Sequence, residues 1–599
     1  MRRIRQIYPS DDPFIVWAFG KRLNGTFGLV SEQFHISMPE DRFNLPTGDN
    51  FSLPEKSITL HSQHGHPETI HRVLGLFFTM LDTGMDMTPS CDKVTQRAAE
   101  QVQILRSESI TAQLTLQTIL QKIYPGIEFL MFVTAFPNDT LVNIQHQIDD
   151  LVRHSLQTPH MATAVIAAPR SVQCLGIHRL TRRQQLWNAV GLIDMLLSKE
   201  AAVRLGMLSR IRICQETFHI AKEPGSDFMD WALKDGHPTD FRGQKVNLAS
   251  AAKKGNFVAN AFLACQEAAI KLVVIHPTLA KVAVSVLHQR ARNTDTVKSA
   301  IQDCHDAQYT KDLQNLHEQW YDIGPQTAET ANASALHLKW ISEGGIWLND
   351  NVFRSIIKAR TGLLWTGERK ARLFATTQSD HAQYKCPYPT CNVDRTESLF
   401  HRFTPTACNG TTSHWQEIIA KIVRVVAAKC PSTLTTVTTG PEGAREWWNI
   451  IAKTQAPTLP DYETIDTPHA PHLCTWDEKN NRPSFVYVIL ALERPVVPGA
   501  IESPWYAKPA ERIHNAFKPR LVAVEEHRRP IIHVLVWGSR GNHPAQISKT
   551  LTSLGIPEDQ RKLLYLRVQS AIYHSVHTVV TDMNIKSSQR DHATEAPVR

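Results

Sequence analysis

The sequence predicts a multidomain α+β protein with a largely α-helical region, a small metal-binding unit and a carboxyl-terminal α/β domain. Its 599 residues are too many for one hydrophobic core, because single domains hold about 100–200 residues. Apolar residues make up 42% of the chain and charged residues 20%, which is typical of globular proteins. Apolar positions recur at helical spacing in one long stretch, and cysteines become dense in one short stretch.

The first part of the chain predicts a small mixed region followed by helices. Residues 1–90 are rich in Pro, Gly and Asp, and their apolar runs predict short strands between turns. From 91 to 345 the apolar residues recur at helical spacing, as in the stripe of Ile144, Ile148 and Val152. We therefore expect a mainly α-helical region there.

A basic amphipathic helix at 351–364 opens the next unit, which extends from 346 to 430 and contains the dense cysteines. Residues 431–470 are rich in Thr and Pro, and this composition predicts a linker around one helix. The chain then has separate units before and after this linker.

The carboxyl-terminal segment, 471–599, predicts an α/β domain. Runs of β-branched and apolar residues at 485–492 and 531–537 predict strands. Apolar residues at helical spacing predict helices at 547–554 and 562–580.

Three cysteines and one histidine lie within 23 residues, in the arrangement Cys386-x4-Cys391-x9-His401-x6-Cys408. Three thiolates and an imidazole can complete the tetrahedral ligand set that structural Zn²⁺ prefers. His414 is an alternative ligand in place of His401, because it follows Cys408 closely. The other interpretation is that these residues are merely buried near one another.

Positive charge is concentrated in two places, although the net charge of +8 is modest for this length. For the first group, Arg179, Arg182 and Arg183, solvated helix faces and a binding surface are equally compatible with the pattern. The second group lies beside the cysteines and Trp365, and it predicts contacts to the phosphates of RNA or DNA. Its members are Arg354, Lys358, Arg360, Arg369, Lys370 and Arg372.

Other signals in the sequence exclude some classes of protein. No apolar run reaches the roughly 18–20 residues of a membrane span, and the basic amino terminus lacks an apolar signal core. Ten cysteines, mostly scattered singly, do not form the framework of a secreted disulfide protein. We expect a nuclear or cytoplasmic protein without a membrane partner, and nothing in the sequence indicates its oligomeric state.

The segment before the cysteines carries a family resemblance. Arg360-Thr361-Gly362-Leu363-Leu364-Trp365-Thr366 leads into the Cys/His cluster, which contains Glu397-Ser398-Leu399-Phe400-His401. This resembles the carboxyl-terminal region of site-specific non-LTR retrotransposon reverse transcriptase polyproteins. In that family an R-x-GLLPT segment precedes a Cys-Cys-His-Cys zinc knuckle and a restriction-like endonuclease domain. Trp365 stands where the family has proline.

Weaker similarities extend over most of the chain. Residues 83–88 resemble the segment that closes the family's palm, and 121–123 with 174–177 resemble its thumb and connection. Residues 531–541 resemble the last strand and turn of its endonuclease domain. The resemblance implies that 1–90 are a palm remnant, 91–345 a thumb-like region and 471–599 an endonuclease-type domain.

A complete polymerase centre is not expected. Asp11-Asp12 resembles the family's Tyr-x-Asp-Asp turn, but one extra residue precedes the acids and Pro13 follows them. The fingers and the strand with the other catalytic aspartate would lie before residue 1. Two-metal catalysis needs carboxylates from separate strands, so a polar turn is the simpler interpretation of this pair.

The endonuclease-type domain also departs from the family. Ser484 replaces the first carboxylate, in Arg482-Pro483-Ser484, and Leu490 stands near the second. Neither side chain supplies the oxygen ligand that Mg²⁺ prefers. Glu493 could restore a Mg²⁺ site, with Lys508 or Lys518 near the attacking water, so enzyme activity remains open.

The sequence thus predicts a retrotransposon-derived protein that binds RNA or DNA and carries structural Zn²⁺. Two alternatives remain: an active Mg²⁺-dependent DNA endonuclease, and a protein-interaction module that is stabilised by zinc and binds acidic proteins.

Overall fold

The structure is a computed structural model, and it describes most of the chain from residue 87 onwards. The described ranges are 87–108, 110–170, 174–217, 247–276, 281–286, 289–290, 293–320, 348–374, 384–391, 397–404, 407–430, 436–437, 440–465, 469–492, 506–540, 544 and 546–594. Before residue 87 it describes nine short strands between 19 and 86. Asp11, Asp12 and Glu493 lie outside the described residues.

The strands of the amino-terminal segment pair in antiparallel fashion. β3 pairs with β6, β1 with β2 and β4 with β5, and β7, β8 and β9 form a three-stranded sheet. The bounds are β1 Phe19–Lys21, β2 Phe27–Leu29, β3 Gln33–Met38, β4 Arg42–Asn44, β5 Asn50–Ser52, β6 Lys56–His61, β7 His71–Val73, β8 Leu76–Leu81 and β9 Gly84–Asp86.

The next region is mainly helical, as predicted. Its helices are α1 Thr88–Ser107, α2 Ala112–Thr118, α3 Tyr124–Met131, α4 Asn138–Leu156, α5 Thr163–Ala167, α6 Leu180–Leu197, α7 Ala201–Thr217, α8 Leu248–Lys253, α9 Phe257–Glu267 and α10 Thr294–Trp320. A π-helical turn, Ile119–Ile123, joins α2 to α3. The prediction missed a small antiparallel sheet of β10 Ile270–His276, β11 Lys281–Val286 and β12 Gln289–Arg290.

The predicted apolar stripe decides how α4 packs. Ile144, Ile148 and Val152 are all buried, because residues three or four apart lie on one face of a helix. The helix ends at Leu156, after which Gln157 adopts a left-handed conformation with φ of 53°.

The carboxyl-terminal half contains ten further α-helices in the described part of the chain, and a π-helical turn, Trp448–Ala452, lies between two of them. They are α11 Asp350–Arg360, α12 Gly367–Phe374, α13 Leu399–Phe403, α14 Thr412–Ala427, α15 Pro441–Trp447, α16 Lys453–Gln455, α17 Tyr462–Ile465, α18 Ala507–Phe517, α19 Gln546–Ser553 and α20 Glu558–Thr594. α19 and α20 correspond to the two predicted helices, and α20 extends well beyond the predicted one at both ends.

A four-stranded mixed sheet forms the centre of this half. Its order is β13 Thr436–Val437, β14 Leu473–Asp477, β15 Arg482–Ala491 and β16 Ile531–Gly538. β13, β14 and β15 are antiparallel neighbours, whereas β16 is parallel to β15. A parallel neighbour requires a crossover, and α18 lies in that connection.

Helices cover both faces of this sheet, as the continuous apolar runs at 485–492 and 531–537 predict. Side chains alternate along β15: Phe485 and Tyr487 join a core with α18, whereas Val486, Val488 and Leu490 join a core with α20.

One buried core crosses three of the predicted domain boundaries. It takes residues from the helices after 91, from 348–426, from the sheet and from α20 up to Met583. The predicted linker is also packed: Trp447, Trp448 and Tyr462 lie in the core on the α18 face of the sheet. Thr and Pro in 431–470 predicted a linker around one helix, whereas the aromatic residues of this segment are buried in the core.

In the described part of the chain, no helix combines the length and the apolar character that crossing a bilayer requires.

Candidate metal centre and its basic surroundings

The four predicted ligands come from three short pieces of chain. Cys386 and Cys391 bracket a turn in which the Cys391 N–H donates to the Tyr388 carbonyl at 3.0 Å. His401 lies on α13, whose first turn is capped by the Ser398 hydroxyl. Cys408 directly precedes a 3-10 turn and α14. We call the described residues of 384–411 the metal unit.

Their ligand atoms converge. The three Sγ atoms and one imidazole nitrogen all lie within 4.8 Å of one another. Cys386 Sγ is 3.6 Å from Cys408 Sγ, and Cys391 Sγ is 3.4 Å from His401 Nε2. Zinc bonds of about 2.0–2.3 Å place tetrahedral ligands about 3.5–3.8 Å apart, so these separations suit one ion. The cluster could therefore hold a metal ion.

Backbone N–H groups and one close thiol partner favour a thiolate here. The N–H groups of Tyr388 and Gly410 donate to the sulfurs of Cys386 and Cys408 respectively. The pKa of Cys408 is lowered, first by the hydrogen bond that it accepts from Cys386 and also by the nearby His401. The same hydrogen bond, with burial, raises the pKa of Cys386. A deprotonated sulfur is the form that binds metal.

Gly410 is required by close packing inside the unit. A Cβ atom at this position would lie 2.2 Å from Cγ of Tyr388, far inside van der Waals contact. The absence of a side chain lets the turn after Cys408 approach the turn after Cys386.

The metal unit docks on α20 through a polar cluster. The Tyr388 hydroxyl donates to Asp582, whose Oδ2 also lies 3.8 Å from His414 Nε2 and 3.7 Å from Lys586 Nζ. The Lys586 ammonium lies 4.1 Å from the centre of the Tyr388 ring, as in a cation–π pair. His414 faces α20 and is not part of the ligand cluster, which contains His401 instead.

A buried ion pair joins the metal unit to α12. Arg402 Nε lies 2.7 Å from Glu397 Oε1, and both side chains are almost wholly buried. Glu397 Oε2 accepts from the Gly367 N–H at 2.6 Å, and its carbonyl accepts from the Glu368 N–H at 2.7 Å. Glu397 thus satisfies two amino-terminal N–H groups of α12, one with its carboxylate and one with its backbone carbonyl, at a helix end that favours negative charge.

The three predicted cations of α11 are wholly or partly buried or engaged in internal contacts. Arg354 pairs with Asp350 at 2.6 Å and donates to the Ser155 carbonyl. Lys358 is half-buried, and its pKa is lowered by burial and by the charge of Arg354. Arg360 is only 6% exposed, with its guanidinium 5.6 Å from the Tyr573 ring centre. A phosphate could not reach Arg360 without disturbing the core.

The predicted cations of α12 lie closer to the surface. The Arg369 guanidinium is 5.3 Å from the ring centre of Trp365, and Lys370 Nζ donates to Ser587 Oγ at 3.2 Å. Both side chains are partly exposed. Arg372 lies on α12, and its side chain is outside the described residues.

The other basic group is neutralised within the fold. Arg179 lies 3.6 Å from Asp149, Arg182 lies 2.6 Å from Glu267 and Arg183 pairs with Glu128. These acids come from α4, α9 and α3, so the sequence spacing of the arginines did not reveal them.

The residues suggested for an endonuclease centre lie apart from one another. Lys508 is exposed on α18, which packs on the sheet face of Phe485. Ser484 and Leu490 are buried and point to the opposite face, because side chains alternate along β15. Within the described ranges, the Cys/His cluster is the one group of three or more potential ligands close enough to share an ion.

Sequence reasoning missed Glu397, Arg402 and Asp582, which hold the metal unit between α12 and α20. The sequence places Glu397 beside His401 but carries no signal that pairs the metal unit with Asp582, which lies 194 residues after Tyr388.

No protein-family model matches this chain, and no curated protein matches it.

Proposed function

We propose that this protein binds nucleic acid through α12 and the metal unit, and that the metal is Zn²⁺ in a structural role. The observation that carries the proposal is the position of α12: its amino terminus is fixed by Glu397 of the metal unit, and its sequence carries Arg369, Lys370 and Arg372. An ion would thereby hold a cationic helix in one orientation.

The ligand chemistry favours zinc. Three thiolates and one imidazole are the soft and borderline donors that Zn²⁺ prefers, whereas Mg²⁺ and Ca²⁺ prefer carboxylate oxygens. Four protein ligands leave no open position for substrate, which is typical of a structural site. The free energy of ion binding would then contribute to the folding of this unit.

Phosphates are the partner that suits α12. Arg and Lys neutralise phosphates and release counterions, so affinity falls as salt rises, with a log–log slope of about −0.9 per duplex phosphate and about −0.7 per single-strand phosphate. Arg354 and Lys358 would contribute less to phosphate binding, because Arg354 donates to the Ser155 carbonyl and Lys358 is half-buried.

We also infer a retroelement origin for the chain. The supporting observations are the order of parts: the Arg360-to-Thr366 segment, then the Cys/His cluster, then a mixed sheet between helices. Catalysis is not part of the proposal. Ser484 and Leu490 offer no carboxylate, and Lys508 lies on the opposite side of the sheet.

The test combines metal analysis with binding at a series of salt concentrations. We expect one zinc per chain and a salt-dependent affinity for labelled RNA and duplex DNA. Arg369→Ala with Lys370→Ala should weaken binding and reduce the magnitude of the slope by about 1.4–1.8. The control, Lys253→Ala with Lys254→Ala, removes two exposed charges at the carboxyl-terminal end of α8 and should leave the slope unchanged.

Three outcomes would contradict the proposal. Purified protein without stoichiometric metal would refute the zinc assignment. Equal slopes for the wild type and the α12 variant would remove α12 from the interface, and failure to bind either nucleic acid would favour the protein-interaction alternative. Plasmid nicking that requires Mg²⁺ would instead support the endonuclease.

A further inference from the structure

Exposed aromatic rings are concentrated around the metal unit. Three large aromatic side chains are exposed in the described part of the chain: Phe129, Trp365 and Phe400. Phe129 lies on α3, far along the chain, whereas Trp365 directly precedes α12 and Phe400 lies on α13. Burying such rings is strongly favourable, so an exposed indole beside a cationic helix points to a ligand.

Trp365 is fixed at the surface by its neighbours. The preceding Leu364 and the following Thr366 are both buried, so the backbone on either side is anchored. The Trp365 carbonyl accepts from Arg402 Nη2 at 3.5 Å, and Arg402 belongs to the buried ion pair with Glu397. The ring nevertheless remains 45% exposed. A ring that is already ordered loses little entropy on binding.

Two cations follow this indole on α12. Arg369 lies one helical turn further on, with its guanidinium 5.3 Å from the ring centre, and Lys370 follows it. Stacking aromatic rings beside cations are the elements with which proteins hold single-stranded nucleic acid. An apolar protein segment would suit the indole but not the two cations.

We propose that Trp365 is a stacking platform for a base of single-stranded nucleic acid, whose adjoining phosphates contact Arg369 and Lys370. This inference rests on the proposed function and narrows it to unpaired strands. In a duplex each base is already stacked between its neighbours, so the indole gains nothing from it. An unpaired base offers a free π-face, and stacking tolerates any base.

The experiment compares two substitutions that keep an apolar side chain. Trp365→Phe keeps an aromatic face, whereas Trp365→Leu removes it and preserves much of the apolar contact. The probes are a labelled oligouridylate, an abasic oligonucleotide of equal length and a duplex, and anisotropy measures their affinity. Phe129→Ala is the control for loss of an exposed ring elsewhere.

We expect Trp365→Leu to weaken oligouridylate binding by about 5- to 150-fold, the range found when one stacking ring is removed. Trp365→Phe should retain most of the affinity, and Phe129→Ala all of it. Binding of the abasic strand and of the duplex should be equal in all four proteins, because phosphate contacts are unchanged. Equal metal content and thermal unfolding establish that the variants are folded.

Unchanged oligouridylate binding by Trp365→Leu would overturn the inference while leaving the nucleic-acid proposal intact. An equal loss for the base-containing and abasic strands would also overturn it, since the ring would then act only through the position of α12. Failure of the wild-type protein to bind any probe would refute both proposals.

Discussion

Removing the carboxylate of Glu397 should destabilise the metal unit and misplace α12. Arg402 is 2% exposed and Glu397 is 4% exposed, so Glu397→Ala leaves a buried guanidinium without its counter-charge. Breaking a buried pair in this way costs about 3–5 kcal/mol. The Gly367 N–H loses its acceptor as well. For a domain stable by about 5–15 kcal/mol, this is a large part of the total.

Urea unfolding followed by circular dichroism, with metal release measured by a chromogenic chelator, tests this expectation. We expect Glu397→Ala to unfold and release metal at lower urea than the wild type. Glu397→Gln should lie between them, because it keeps an acceptor for the Gly367 N–H but loses the charge.

The matched control is Glu417→Ala, which removes a carboxylate from an exposed i,i+4 pair with Lys421 on α14. Exposed pairs contribute little, so we expect no measurable change in its unfolding. If Glu397→Ala proved as stable as Glu417→Ala, the reasoning from the buried pair would be refuted.

Three further predictions concern the metal, packing and pH. Chelation should expose Trp415, now 1% exposed, and shift its emission to longer wavelength, as measured against Trp415→Phe; an unshifted spectrum would contradict a structural metal. Gly410→Ala should destabilise the unit by about 1–3 kcal/mol through overpacking against Tyr388, as seen in thermal unfolding, whereas Gly206→Ala, in open space, should not. Burial lowers the pKa of His533 to about 4, below its unfolded value of 6.5. Its contribution to stability is therefore present above pH 6.5 and declines as pH falls towards 4, and replacing His533 by Gln should flatten the dependence of the urea midpoint over this window.

The sequence was informative where chemistry or periodicity is local. The spacing of Cys386, Cys391, His401 and Cys408 predicted a cluster that the fold assembles, because thiolates and imidazoles close together have few other uses. The apolar stripe of α4 predicted a helix, and the β-branched runs of β15 and β16 predicted strands, because each signal lies within one short segment of chain.

Long-range pairing could not be predicted. Nothing near Arg183 in the sequence indicates that Glu128 lies against it, and nothing near Tyr388 indicates Asp582. Trp447 and Trp448 fell in the one helix predicted within a linker, because Thr and Pro dominate the composition around that helix. Their burial depends on a sheet whose strands come later in the chain.

The docking of the metal unit on α20 also has a consequence for synthesis on the ribosome. When residue 411 has emerged, all four ligands are available to capture an ion, but Asp582 and the helix that carries it have not yet been translated. Domains acquire structure as they emerge, at about 5–20 residues per second. At this rate the stretch from 411 to 582 takes about 9–34 seconds to translate, so a metal site that binds its ion early would form well before the helix on which it docks. Slow codons between 411 and 582 would lengthen this interval.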